Sequence, residues 1–87
     1  MVDVKDATEV ATKYFINLFG DKYSDLALEE VEISEDEKYW YITIGYNVDK
    51  PAFSHSLPFT RTGREYKCFK IERKTGKVLS MKIRKVD

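Results

Sequence analysis

The stretch Tyr39-Trp40-Tyr41-Ile42-Thr43-Ile44-Gly45-Tyr46-Asn47-Val48 alternates between two kinds of position. Trp40, Ile42, Ile44, Tyr46 and Val48 share one parity, and Tyr39, Tyr41, Thr43, Gly45 and Asn47 share the other. Successive side chains of a strand point to opposite faces, so this period of two predicts a half-buried strand over about 39–48 with the first set toward a core. What surrounds it decides the layer above. Upstream, Val4, Ala7, Ala11, Tyr14, Phe15, Leu18 and Phe19 recur at spacings of three and four, while Lys5, Asp6, Glu9, Thr12 and Lys13 occupy much of the remaining surface. That period, with Asp3 as N-cap and Gly20 as the stop, predicts one amphipathic helix over about 4–19.

Between helix and strand, Val31 and Ile33 alternate with Glu30 and Glu32, which predicts a strand over about 28–34 that turns at Ser34-Glu35-Asp36-Glu37-Lys38. Downstream, a strand over about 66–72 sets Phe69 and Ile71 inward and Cys68 and Lys70 outward. Arg73-Lys74-Thr75-Gly76-Lys77 is a hairpin loop with glycine where a positive φ is wanted, and a last strand over about 78–86 aligns Leu79, Met81 and Ile83 on the core side. The expected fold is α+β: one N-terminal helix packed on one face of a four-stranded antiparallel meander, forming a single domain over residues 1–87. One helix covers one face. The reverse face carries Tyr39, Tyr41, Tyr66, Lys70, Lys82 and Arg84, a mixture of aromatic and basic residues.

Composition bounds the rest. A chain of 87 residues with 43% hydrophobic residues has one modest core and little left to line a deep pocket. It contains no apolar run of the length that crosses a membrane, and charges in MVDVKDATEV stand where a signal peptide needs apolar residues, so a cytoplasmic location is expected. Net charge is zero but polarised. Residues 1–37 hold eleven acids and three bases, whereas residues 50–87 hold eleven bases and three acids. Either the two halves attract each other within the fold, or each offers a charged face to a partner. The acidic strand 28–34 and the basic strand 78–86 are expected sheet edges that could pair between chains as a homodimer.

The connection over 49–64 is long for a hairpin, and loops beyond about 12–15 residues are usually functional or disordered. Its Phe53, Leu57 and Phe59 either close an open end of the core or enter a partner, and Pro51 and Pro58 lower the entropy lost on docking. With His55, Arg61 and Arg64 they form the leading set of candidate partner-binding residues, the two arginines favouring an acidic protein.

Catalysis finds little support. Cys68, His55 and Asp49 would be the minimum nucleophile, base and carboxylate, but no glycine-rich turn or helix N-terminus accompanies Cys68 to stabilise a thiolate. One histidine and one cysteine give no metal-ligand spacing, and no phosphate-binding glycine motif occurs, so no enzyme activity, metal or cofactor is expected.

The element order, together with the final hairpin Tyr66-Lys67-Cys68-Phe69-Lys70-Ile71-Glu72-Arg73-Lys74-Thr75-Gly76-Lys77-Val78-Leu79-Ser80, resembles the PepSY domain, in which a strand leads through T-G-K-V into the last strand. The helix with Ala7 and Ala11 and the segment Leu28 to Ile33 are similar as well. The resemblance implies a non-catalytic module that regulates a peptidase or binds another protein. Cystatin-like folds share the helix-on-sheet geometry, but their Q-x-V-x-G loop motif is absent. Two functions follow as expectations: a protein-binding or regulatory module acting through the 49–64 loop, or nucleic-acid binding through Tyr39, Tyr41 and Tyr66 stacking beside Lys70, Lys82 and Arg84.

Overall fold

The computed structural model describes residues 1–50 and 61–85. Its elements are α1 (Val4–Phe19), β1 (Ser24–Ile33), β2 (Tyr39–Lys50), β3 (Arg61–Glu72) and β4 (Val78–Arg84), and the strands form one antiparallel sheet in the order β1-β2-β3-β4. This is the expected meander with a helix against it.

Local chemistry fixes the ends of α1. The Asp3 carboxylate accepts the Asp6 N–H at 2.8 Å, and Gly20, at φ 61, donates its N–H to the Ile16 carbonyl. The first satisfies an orphan donor of the opening turn; the second exploits a backbone angle that glycine adopts without a Cβ penalty. Ala7, Ala11 and Phe15 are fully buried, and α1 lies across β2 and β3. The two alanines let the helix approach closely. Phe15 then fills the space beyond them, with ring centroids 4.8 Å from Phe19 and 4.9 Å from Tyr46. Tyr23 completes the cluster 4.7 Å from Tyr46, and Lys67 Nζ stands 5.7 Å from the rings of both Phe19 and Tyr46.

Cross-strand register shows how the parity of β2 propagates. Ile42 faces Val31 on one side and Phe69 on the other, Phe69 faces Met81, and Trp40 faces Ile71. Ile42, Ile44, Tyr46, Phe69 and Ile71 are all buried beneath the helix. At about 2 kcal/mol for a large side chain withdrawn from water, this central stripe is the main source of stability. Burial also raises the Tyr46 hydroxyl pKa to about 12, with the neighbouring Glu65 and Tyr23 adding to the effect.

Several boundaries differ from expectation. β1 begins at Ser24 rather than near residue 28, because Ser24 pairs with Asn47 despite two bulges that leave Glu29 and part of the Ser24–Ala27 segment out of register. The 49–64 connection is shorter than expected: β2 continues to Lys50 and β3 begins at Arg61, paired residue by residue. Main-chain hydrogen bonds hold such a ribbon together, and they require no apolar alternation. On β4, Leu79 and Ile83 do not reach the core and are 43% and 73% exposed. Leu79 is the extra residue of a bulge between the Lys70–Ser80 and Ile71–Val78 pairs, and Ile83 faces Lys67 where the helix gives no cover. Val78 and Met81 are the β4 residues packed against the core.

Candidate interaction surfaces

Three regions bring polar or charged side chains together. At the first, β2 and β3 project as a two-stranded arm. The β1 pairing stops at Asn47 and the β4 pairing at Tyr66, yet β2 and β3 stay paired out to Lys50 and Arg61. The base of this arm is clamped by Arg64. Its Nη2 donates to Glu29 Oε1 at 2.6 Å, while Nη1 donates to Asn47 Oδ1 at 3.0 Å and to the Asp25 carbonyl at 3.1 Å. Asn47 in turn donates to the Asp25 carboxylate at 3.0 Å. Gly45 belongs to the same arrangement, since a Cβ there would stand 2.7 Å from Glu29 Oε1. Arg64, expected on the loop as a partner contact, is thus a strand residue engaged within the fold. Arg61 is the first residue of β3. Phe53, His55, Leu57 and Phe59 lie outside the described residues.

The second region is the sheet face away from the helix. Tyr39, Tyr41, Tyr66, Lys70, Lys82 and Arg84 do share it, as their common parity requires. They share it with acids. Arg84 of β4 reaches Glu30 of β1 in an ion pair and donates to Thr43 Oγ1 at 3.3 Å. Three inter-strand steps of about 4.8 Å separate the two strands, so both side chains must lie across the sheet on a face that curls toward them. Thr43, only 3% exposed, is covered by this tie. Hollows of about 350 and 220 Å³ flank Arg84. Glu32, Ile33, Tyr41 and Cys68 contribute to the larger, and Glu29, Glu30, Thr43 and Tyr66 to the smaller. Lys70 Nζ rests 4.3 Å from the centre of the Tyr39 ring. Glu30 holds the Arg84 guanidinium above its ordinary pKa, as Glu29 does for Arg64. Both pairs join an acid of the first half to a base of the second, so part of the charge polarity is consumed inside the fold.

The third region was not legible in the sequence. Where the β1–β2 and β3–β4 turns meet, a hollow of about 360 Å³ is bounded by Met1, Tyr39, Glu37, Lys38, Glu72 and Arg73, with Lys74 beside them. The Arg73 guanidinium lies 5.3 Å from the Trp40 ring and donates to the Glu37 carbonyl at 2.6 Å, while its Nε is buried without a partner. The N-terminal residues are stitched in alongside: Val2 N–H donates to the Arg73 carbonyl at 2.7 Å and Trp40 Nε1–H to the Val2 carbonyl at 2.9 Å. The acidic turn nearby is a built structure. Asp36 accepts the Ser34 hydroxyl at 2.6 Å and the Lys38 N–H at 3.1 Å, and the Ser34 bond, first among these causes, lowers its pKa.

Cys68 is half-buried on the open face, in register with Thr43 and Lys82. Among the described residues no group of three His, Cys, Asp or Glu side chains is placed to hold a metal, and no helix is long and apolar enough to cross a membrane. Comparison of the chain with family models, curated proteins and solved structures finds no match.

Proposed function

We propose that this chain is a small non-catalytic module that binds another protein through the projecting β2–β3 arm. The observation that carries the reading is the continued pairing of β2 and β3 out to Lys50 and Arg61, past the last residues paired with β1 and β4. A ribbon of two strands is marginal by itself in water. Here the clamp of Arg64 on Glu29, Asn47 and the Asp25 carbonyl ties its base to β1. Its strand edges can accept a further strand, and Phe53, Leu57 and Phe59 in the joining segment supply apolar anchors. The resemblance to PepSY domains points the same way and adds regulation of a peptidase as a specific form.

The test is a trimmed variant in which an Asn-Gly turn replaces residues 49–62 and joins Val48 to Gly63, which face each other in the ladder. It should keep its melting temperature within a few degrees, since the described core lies elsewhere, and lose capture of the partner that the full chain retains from native extract. Capture of the same partner by the trimmed variant would refute the arm's role.

A further inference from the structure

The two edges of the sheet are complementary to each other in a way that a single chain uses only in part, through Glu30 and Arg84. On the helix side of β1, Leu28, Val31 and Ile33 are 47%, 36% and 37% exposed, because α1 lies mainly across β2 and β3, and of the apolar β1 residues Leu26 is the one packed against the core. On its other side β1 presents Glu30 and Glu32, which share a face with Thr43 and Tyr41. The regular part of β4 repeats this order with the opposite charge. Met81 and Ile83 lie on the helix side, and Lys82 and Arg84 on the other.

We infer that β1 of one copy pairs antiparallel with β4 of a second copy, continuing the sheet with both helices on the same side. One register satisfies every position at once: Glu30 opposite Arg84, Val31 opposite Ile83, Glu32 opposite Lys82 and Ile33 opposite Met81. Directly opposed side chains on one face are the unit of sheet stabilisation, and this register makes two opposite-charge pairs and two apolar pairs. Like edges cannot do the same. No antiparallel pairing of β1 with β1 or of β4 with β4 that keeps the faces matched makes an opposite-charge pair, since β1 carries no base and β4 no acid, and the registers centred on Val31 or Glu32, and on Lys82 or Ile83, set like charges against each other, which is destabilising. The seam is therefore heterologous, each copy offering its acidic edge to the basic edge of the next. Glu30 and Arg84 already meet within one chain across the curled face, but Glu32 and Lys82 make no ion pair among the described residues and gain one only between copies.

This surface is separate from the arm, so the two readings fail independently. The measurement is sedimentation equilibrium of the full chain at low and molar salt, with Glu32→Lys, Lys82→Glu and an equimolar mixture of the two variants. The wild type should show masses at multiples of 10.2 kDa at low salt and shift toward 10.2 kDa as salt screens the pairs. Each variant alone places like charges at the seam and should associate about five- to tenfold more weakly. In the mixture the lysine introduced on β1 of one variant meets the glutamate introduced on β4 of the other, while native Glu32 and Lys82 meet at the reciprocal seam, so association should return to near the wild-type value. Circular dichroism of each variant checks that the fold is retained. The arm-trimmed variant should associate like the wild type. A wild type that stays at 10.2 kDa at every concentration and salt, or variants whose mixture associates no better than either alone, would overturn the inference.

Discussion

Replacing Phe15 with alanine tests the packing most directly. Phe15 is fully buried and touches three aromatic rings, those of Phe19, Tyr46 and Tyr23, with centroids 4.8, 4.9 and 6.0 Å away. Truncating a buried phenylalanine costs about 3–5 kcal/mol, and the ring contacts favour the upper half of that range. We expect a loss of about 4 kcal/mol. A chain of this length has about 4–13 kcal/mol of stability in total, so the variant should keep a small margin or none. The assay is urea unfolding followed by tryptophan fluorescence, since Trp40 packs at the edge of the core. With a slope of about 1–2 kcal/mol per molar urea for a small protein, the midpoint should fall by about 2–4 M. Ile16→Ala is the control. Ile16 follows Phe15 in sequence but is turned away from the core and 48% exposed, and its truncation should cost less than about 1 kcal/mol. Equal midpoint shifts in the two variants, or a Phe15→Ala loss under about 1 kcal/mol, would refute the placement of α1 on the sheet.

Two further outcomes follow from the titratable groups. The Tyr46 hydroxyl, raised to about 12 in the fold against about 10 in an unfolded chain, favours folding fully below pH 10, and that contribution is lost as pH rises toward 12. Thermal melts across this alkaline range should therefore decline less steeply for Tyr46→Phe, by the equivalent of about 2 kcal/mol at the top of the range; identical slopes would contradict it. A double-mutant cycle on Glu29 and Arg64, whose side chains are about one-third exposed, should give a coupling of about 1 kcal/mol or less that shrinks in molar salt. A coupling near zero beside a large cost of Arg64→Ala alone would mean that Arg64 acts through Asn47 and the Asp25 carbonyl instead.

The helix and the central strands were legible because a single periodicity dominated each. Ala7, Ala11 and Phe15 repeat every four residues, and the alternation from Trp40 to Val48 has no interruption, so propensity, pattern and burial agree. The edges were less legible. Ser24-Asp25-Leu26-Ala27 has no strand pattern, and Asp25 takes a positive φ of 56°, a local distortion that the Asn47 side chain and Arg64 support from outside the segment. The bulge that turns Leu79 off the core face shifts parity by one residue, which no count of apolar positions detects. The same limit applies to the candidate surfaces. Parity grouped the tyrosines and bases correctly, but the acids that neutralise Arg64 and Arg84 come from β1, and only the strand order and the curl of the sheet bring them within reach. Likewise Arg73 meets Trp40 only because both turns of the sheet end at the same place.

The position of α1 over β2 and β3, and not over its chain neighbour β1, has a bearing on biosynthesis. The helix leaves the ribosome ahead of the sheet, but the strands that shelter Ala7, Ala11 and Phe15 are translated later, the second of them ending at Glu72. Until then its greasy stripe has no native bed. A nascent chain of this protein is thus exposed to chaperones and to clumping until β3 has left the ribosome, and slowing elongation once α1 has cleared the exit tunnel and before β3 has done so should lengthen that vulnerable interval.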